Sequence, residues 1–145
     1  MFDSPCFSFV PFYPDNINYC TVDSADRDVI SCPFTGCLMA IWKKKVNGRY
    51  EIRVGHVATD TDPVHDCKDL WEAEMRQSEC GYAFKPSQFI LPLPSGVTSY
   101  RCFGLYTFNN NMTKFTAFSI LTESNPQGRP CKVLKKMLVY EGSLV

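Results

Sequence analysis

Apolar and polar residues alternate along much of the chain, which is the pattern of half-buried β-strands. The clearest alternating segments run over 38–46 and 49–58, and both are rich in Ile, Val, Trp and Tyr. Asn47-Gly48 lies between them, and this dipeptide favours a type I′ turn because both turn residues need a positive φ. The sequence therefore predicts a tight β-hairpin whose register is set by a two-residue loop.

That register brings a cysteine and a histidine to the same face of the hairpin. With Asn47 and Gly48 as the loop, Met39 lies opposite His56, and Cys37 is predicted opposite Ala58. Cys37 and His56 then become diagonal neighbours, with backbones about 7–8 Å apart. A slip of one residue would send the two side chains to opposite faces, so the prediction depends on the turn.

The rest of the pattern predicts one principal helix and several further strands. An acidic cap and a proline at 60–63 favour a helix over about 63–78, and Gly81 is interpreted as its stop. Extended segments are predicted over 1–20, 29–32, 87–93, 100–108, 114–122 and 132–140. The fold class that follows is α+β, a mostly antiparallel sheet or sandwich with one principal helix, in a single domain over 1–145.

Composition and charge narrow the range of partners. The chain has 145 residues, with 15 basic and 15 acidic side chains and a formal net charge of zero. Nothing in this balance favours binding to nucleic acid or to an anionic membrane, and no apolar run approaches the length of a membrane span. We therefore expect a monomer with neither kind of partner. The first residues show no basic region followed by a continuous apolar segment, so no ordinary signal peptide is expected.

Eight cysteines are many for a chain of this size, and their spacing is irregular. There is no Cys-x-x-Cys, and the two histidines are far from any cysteine pair, so we predict no metal and no cofactor. The sequence leaves two alternatives for the thiols. Three disulfides plus two free thiols are arithmetically possible, or most cysteines are small buried apolar residues.

Gly36-Cys37 at the start of a strand is the strongest candidate for chemistry. A catalytic cysteine needs a base that shuttles protons, and His56 on the partner strand supplies one. A glycine before the nucleophile allows a sharp turn and the close approach of a substrate carbonyl. His65 is a rival base in the first turn of the predicted helix. The alternative for both Cys37 and His56 is an ordinary structural role in the core.

Phe34-Thr35-Gly36-Cys37 followed by His56 resembles a group of glutamine deamidases that carry Leu-Ser-Gly-Cys at a strand start and a histidine on the partner strand. The group includes the catalytic domain of cytotoxic necrotizing factors, Burkholderia lethal factor 1 and the chemoreceptor deamidases. This chain has Phe34 and Thr35 in place of Leu and Ser, and its Cys–His interval is longer.

The resemblance implies a hydrolase with Cys37 as nucleophile and His56 as general base and acid. It implies a protein-glutamine substrate and a thioester intermediate. It also implies a toxin or virulence effector that is secreted or delivered into a host cell. Thr35 is a candidate for contacting the substrate, and Thr59 and Asp60 are candidates for orienting His56.

Two other functions remain open from the sequence. One is a non-catalytic, secreted binding module stabilised by disulfides. The other is a cysteine peptidase or transglutaminase that uses the same dyad, although no papain-like Cys-Trp signature is present.

Overall fold

The computed structural model describes residues 7–12, 16–22, 28–59, 68–125, 127 and 130–144. These ranges hold nine strands and one α-helix. In chain order they are β1 Phe7–Pro11, β2 Ile17–Val22, β3 Asp28–Cys32, β4 Leu38–Val46, β5 Arg49–Val57, α1 Lys68–Arg76, β6 Ser78–Phe84, β7 Tyr100–Phe108, β8 Lys114–Ser124 and β9 Pro130–Ser143. A short 3-10 helix, Pro86–Phe89, lies between β6 and β7.

The strands form two sheets that pack face to face. Sheet A has the order β1-β3-β7-β8-β9, and sheet B has the order β2-β5-β4-β6. All pairings are antiparallel except the one between β1 and β3. One apolar cluster fills the space between the sheets and draws residues from both, among them Val29, Met39, Val54, Tyr106 and Leu121. The predicted fold class, α+β with mostly antiparallel strands and one principal helix, is confirmed.

The predicted hairpin between β4 and β5 is also confirmed. Its ladder runs from Leu38↔Val57 to Val46↔Arg49 and includes Met39↔His56. Asn47 and Gly48 have φ values of 51° and 81°, the positive values that a type I′ turn requires. The turn therefore fixes which side chains of β4 and β5 point into the core.

Helix α1 packs on the face of sheet B that points away from sheet A. Trp71 meets Trp42 edge to face, with ring centroids 5.2 Å apart. The Glu74 carboxylate accepts hydrogen bonds from Trp42 Nε1 at 2.9 Å, Lys44 Nζ at 2.6 Å and Arg53 NH1 at 3.1 Å. Burial alone would raise the pKa of Glu74, but hydrogen bonds from Lys44 and Trp42 lower it on balance. A single carboxylate thus holds the helix to both central strands of sheet B.

The predicted end of the helix is wrong. Residues 60–67 lie outside the described ranges, and α1 ends at Arg76, after which Ser78 already begins β6. Gly81 does not stop a helix, because it lies inside β6 beside the bulge at Ile41 of β4. A Cβ at Gly81 would lie 3.2 Å from the Ile41 carbonyl oxygen, so the glycine permits a close approach of two strands.

The strand predicted over 87–93 is also wrong. Its first residues belong to the 3-10 helix Pro86–Phe89, in which Gln88 N donates to Lys85 O at 3.0 Å. Pro92 and Pro94 follow, and neither can donate a backbone hydrogen bond to a neighbouring strand. The predicted strands over 29–32, 100–108, 114–122 and 132–140 are present, and the last extends to Pro130–Ser143.

Candidate active site

His56 lies on β5, between Met39 of β4 and Asn18 of β2, and its side chain points into the space between the sheets. Only 1% of the residue is exposed. The Phe34 ring stacks on the imidazole with centroids 4.1 Å apart and an interplanar angle of 9°. The Phe12 ring lies at 5.2 Å in a tilted orientation. The imidazole is thus enclosed by aromatic rings.

A hydroxyl from the opposite sheet holds the imidazole. Ser31 of β3 is fully buried, and its Oγ lies 2.8 Å from His56 Nδ1. The same Oγ donates a hydrogen bond to the carbonyl oxygen of Val10 on β1. The interaction therefore links His56 in sheet B to two neighbouring strands of sheet A.

This chain of hydrogen bonds determines the tautomer of His56. A serine hydroxyl has one hydrogen, and here that hydrogen is directed to Val10 O. Ser31 Oγ must then accept from His56, so the imidazole proton is on Nδ1. Nε2 consequently carries the unshared electron pair and is the basic atom of the ring.

His56 Nε2 is buried and has no hydrogen-bond partner in the part of the chain that the structure describes. Burial lowers the pKa of His56 from 6.5 to about 4, so the ring is neutral at neutral pH. An unsatisfied buried acceptor costs about 1–3 kcal/mol, which makes such atoms uncommon unless a ligand or a reaction uses them. Nε2 is therefore a basic atom that is chemically available, whereas the other buried side-chain atoms without a partner in the described residues are hydroxyl oxygens of Thr59, Ser78 and Ser124.

Cys37 immediately precedes β4 and faces the same side of sheet B as His56. Its side chain is 3% exposed and packs in the cluster that also holds Phe34 and Met39. Met39 is the ladder partner of His56, and Phe34 stacks on His56, so these two side chains border the imidazole. The placement of both residues on one face agrees with the hairpin prediction.

One detail of that prediction is wrong. The β4–β5 ladder stops at Leu38↔Val57, one pair before Cys37 and Ala58. Ala58 N donates instead to Asn16 O at 3.2 Å, and its side chain packs with Trp42 and Val57 on the outer face of sheet B. The chain leaves the ladder at the Gly36-Cys37 corner, so Cys37 is placed by the loop that precedes β4.

The other predicted site residues are only partly brought together. Thr35 is exposed, and Gly36 has open space where a Cβ would be, so both lie on the solvent side of Cys37.

Thr59 is buried, and its Oγ1 has no partner within the described ranges, but Ser31 is the residue that holds His56 Nδ1. The predicted orienting role of Thr59 is therefore replaced by Ser31. His65 and Asp60 lie outside the described residues.

Two further thiols in the core differ from Cys37 in their neighbours. Burial raises the pKa of Cys102 to about 12, and its Sγ lies 3.9 Å from Ser119 Oγ. Burial also raises the pKa of Cys32, against the opposing effect of Arg101. These two cysteines are free thiols, which fits small buried residues rather than bridges. Within the described ranges, no three side chains of His, Cys, Asp and Glu form a metal-binding group.

Ser31 is the functional candidate that the sequence interpretation missed. A signal for it exists, because Val29 and Ser31 share the inward face of β3 and both are fully buried. A hydroxyl at an inward position of an otherwise apolar strand needs a partner in the core. That partner, His56, is 25 positions away along the chain, and only the packing of the two sheets brings it near.

Comparisons of the chain with models of known families, with curated proteins and with solved structures gave no significant match. In the described part of the chain, α1 is too short and too polar to cross a lipid bilayer.

Proposed function

We propose that this protein is a cysteine-dependent deamidase of protein glutamine side chains, with Cys37 as nucleophile and His56 as general base and acid. The observation that carries the proposal is the buried His56 Nε2, which bears the lone pair and lacks a partner in the described structure, while Cys37 faces the same inter-sheet core. The resemblance of the Gly-Cys corner and the partner-strand histidine to glutamine deamidases supports the choice of substrate.

The proposed chemistry needs a thiol, a base and water. Cys37 Sγ attacks the carbon of the glutamine carboxamide while His56 Nε2 takes the thiol proton. The imidazolium then gives that proton to the departing nitrogen, ammonia leaves, and a thioester links Cys37 to the substrate. Water attacks the thioester with Nε2 as the base, the thiolate leaves and recovers a proton, and the product is glutamate.

Ser31 acts in this scheme as a positioning residue. By accepting the Nδ1 proton it keeps the basic lone pair on Nε2, and it stabilises the positive ring that forms during each proton transfer. The lowered pKa of His56 suits a base that must start neutral. Nε2 is thus held as a proton acceptor before substrate arrives.

The proposal is tested by incubating the protein with a eukaryotic cell extract and identifying glutamine-to-glutamate conversions by peptide mass spectrometry. Each conversion adds about one dalton as an amide nitrogen is replaced by oxygen. We expect a set of sites that the wild type converts and Cys37→Ser does not. The matched control is Cys102→Ala, because Cys102 is as buried as Cys37 and has no role in the proposed chemistry.

Conversion by both the wild type and Cys102→Ala, but not by Cys37→Ser, supports the proposal. If the wild type changes no glutamine, or if Cys37→Ser converts the same sites, the proposal is wrong. Transpeptidation to lysine at the same sites would instead identify a transglutaminase with this dyad.

Ser31 variants test the positioning role. We expect Ser31→Ala to reduce the conversion rate by roughly 10–100-fold, because Nδ1 loses its acceptor and the ring is free to change tautomer. Ser31→Thr keeps the hydroxyl and should recover most of the rate. Equal rates in Ser31→Ala and the wild type would show that Ser31 has no role in the mechanism. The role proposed for Cys37 would be unaffected by that result.

A second candidate function, a non-catalytic binding module, is favoured by the outer face of sheet A. The ladders align one apolar row across all five strands: Phe9, Ile30, Leu105, Phe118 and Leu138. Phe9 is 58% and Leu138 is 53% exposed at the two ends of the row, whereas Leu105 in the middle is only 6% exposed. Such rows are typical of protein-binding surfaces.

The same extract experiment separates the two functions. A binding module would leave every glutamine unchanged in both the wild type and Cys37→Ser. It would retain partners from the extract that Leu138→Glu fails to retain.

A further inference from the structure

The proposed nucleophile and base are enclosed, although the loop beside them is open to solvent. Cys37 and His56 are 3% and 1% exposed. Pro33 and Thr35 in the β3–β4 loop are exposed, and a Cβ at Gly36 would meet nothing within 4 Å. A substrate side chain therefore has to pass the loop of residues 33–36 to reach the sulfur.

Phe34 is the residue of this loop that turns inward. It is 2% exposed, and its ring lies parallel to the His56 imidazole at 4.1 Å. On the sheet A side the ring lies over Gly104, where a Cβ would come within 3.1 Å of Phe34 Cε2. The ring thus fills a flat slot with the imidazole of His56 as one wall and the backbone of Gly104 as another.

Phe34 and Cys37 belong to the same apolar cluster, and they are three residues apart along the chain. The Phe34 backbone is anchored by its N–H to Cys102 O at 3.0 Å, so the side chain can turn outward while the chain stays in place.

We propose that Phe34 is a plug: its ring closes the approach to His56, and it must turn outward before the carboxamide of a substrate glutamine can reach Cys37 and Nε2. This inference rests on the proposed deamidase function for the identity of the substrate. It narrows the substrate to glutamines on protruding or unfolded segments, because a side chain must enter below the protein surface.

The test measures alkylation of native protein by iodoacetamide, a small reagent that itself carries a carboxamide, with each cysteine followed by peptide mass spectrometry. In the wild type, Cys37 should react before Cys102, although the two residues are equally buried. Phe34→Ala should accelerate the reaction at Cys37 by roughly tenfold while leaving Cys102 unchanged. Without the ring, the reagent reaches Cys37 without waiting for a local opening of the loop. Phe34→Leu, which keeps a bulky side chain, should fall between them.

Phe12→Ala is the matched control, since Phe12 is the other ring against His56 but lies at 5.2 Å and tilted. It should leave the rate at Cys37 within about twofold. The plug is overturned if Cys37 and Cys102 react together in the wild type, or if Phe34→Ala accelerates both equally. If Phe34→Ala fails to fold, the rate at Cys37 in Phe34→Leu, compared with the wild type, decides the matter.

The two proposals fail in different ways. Selective acceleration at Cys37 with no glutamine converted in the extract would retain the plug and reject the deamidase. Conversion of glutamines by the wild type with no effect of Phe34→Ala on alkylation would retain the deamidase and reject the plug.

Discussion

The two faces of sheet B bury polar groups in opposite ways. On the outer face, Glu74 accepts hydrogen bonds from Trp42, Lys44 and Arg53, and its carboxylate has a partner for each oxygen. On the inner face, His56 has one partner at Nδ1, while Nε2 has none among the described residues. Glu74 packs against β4 and β5, and His56 lies on β5 beside β4. The strands themselves therefore do not explain why one group is fully hydrogen-bonded and the other is not.

The difference teaches how to separate a structural polar group from a reactive one. The Glu74 interactions stabilise the position of α1 and leave no oxygen free for chemistry. The His56 interactions determine the tautomer and orientation of the ring and leave its basic atom open, at a cost in stability. Changes on the outer face should therefore alter stability, and changes on the inner face should alter reactivity.

The largest expected effect is on the inner face. His56→Gln should lower glutamine conversion by about 10³-fold, equivalent to about 4 kcal/mol, because the proton acceptor is lost. Conversion rates in the cell extract measure this, with circular dichroism to verify folding. A His56→Gln protein that converts glutamines at the wild-type rate would leave the inner face with only a structural role.

The next effect is on stability as a function of pH. The pKa of His56 is about 4 in the folded protein and about 6.5 in the unfolded chain, so the unfolded state binds more protons between these values. Stability is then full above about pH 6.5 and decreases by up to about 3 kcal/mol as the pH falls to about 4.

Urea unfolding at several pH values measures this dependence. Glu74, whose pKa is lowered, loses its contribution in acid too, so the comparison is made with His56→Gln. The difference between the two curves isolates the histidine. Parallel curves would show that His56 titrates alike in the folded and unfolded states.

A smaller effect is expected on the outer face. Glu74→Gln removes the charge that Lys44 and Arg53 share, and it should lower the free energy of unfolding by about 2 kcal/mol. Glutamine conversion well below the unfolding temperature should be unchanged. A loss of conversion without a loss of stability would show that the two faces are coupled.

The smallest effect concerns the turn that sets both faces. Gly48→Ala places a side chain at a φ of 81° and should cost about 1 kcal/mol, whereas Gly36→Ala, with open space and no positive φ, should cost less than about 0.5 kcal/mol. Urea unfolding compares the two. A nuclear Overhauser contact between Met39 and His56 should persist in both, and its loss would mean that the register has slipped.

Local signals account for what the sequence predicts well. Asn47-Gly48 fixes the β4–β5 register through backbone conformations that few other residues adopt, and the inward position of His56 follows from that register. The predictions that were wrong concern residues whose role depends on packing against distant parts of the chain. Gly81 resembles a helix stop in sequence, but its role is the close contact with Ile41 of another strand.

Ser31 could not be assigned for the same reason. Its inward position on β3 follows from alternation, but its two partners, Val10 and His56, lie on strands of different sheets. No local sequence pattern predicts how a five-stranded and a four-stranded sheet pack against each other. The sequence suggested the proposed nucleophile and base, but it did not suggest Ser31, the group that holds the proposed base.

The hydrogen bond from Ser31 to Val10 O ties the tautomer of His56 to the position of β1. Val10 lies on β1, an edge strand of sheet A that pairs only with β3 in the described sheet. If β1 detaches, Ser31 regains a proton to donate, and the stable ring form becomes the one with hydrogen on Nε2. The same imidazole would then present an N–H where it had presented a lone pair. The acid–base character of a residue in one sheet is thereby decided by whether the outermost strand of the other is docked.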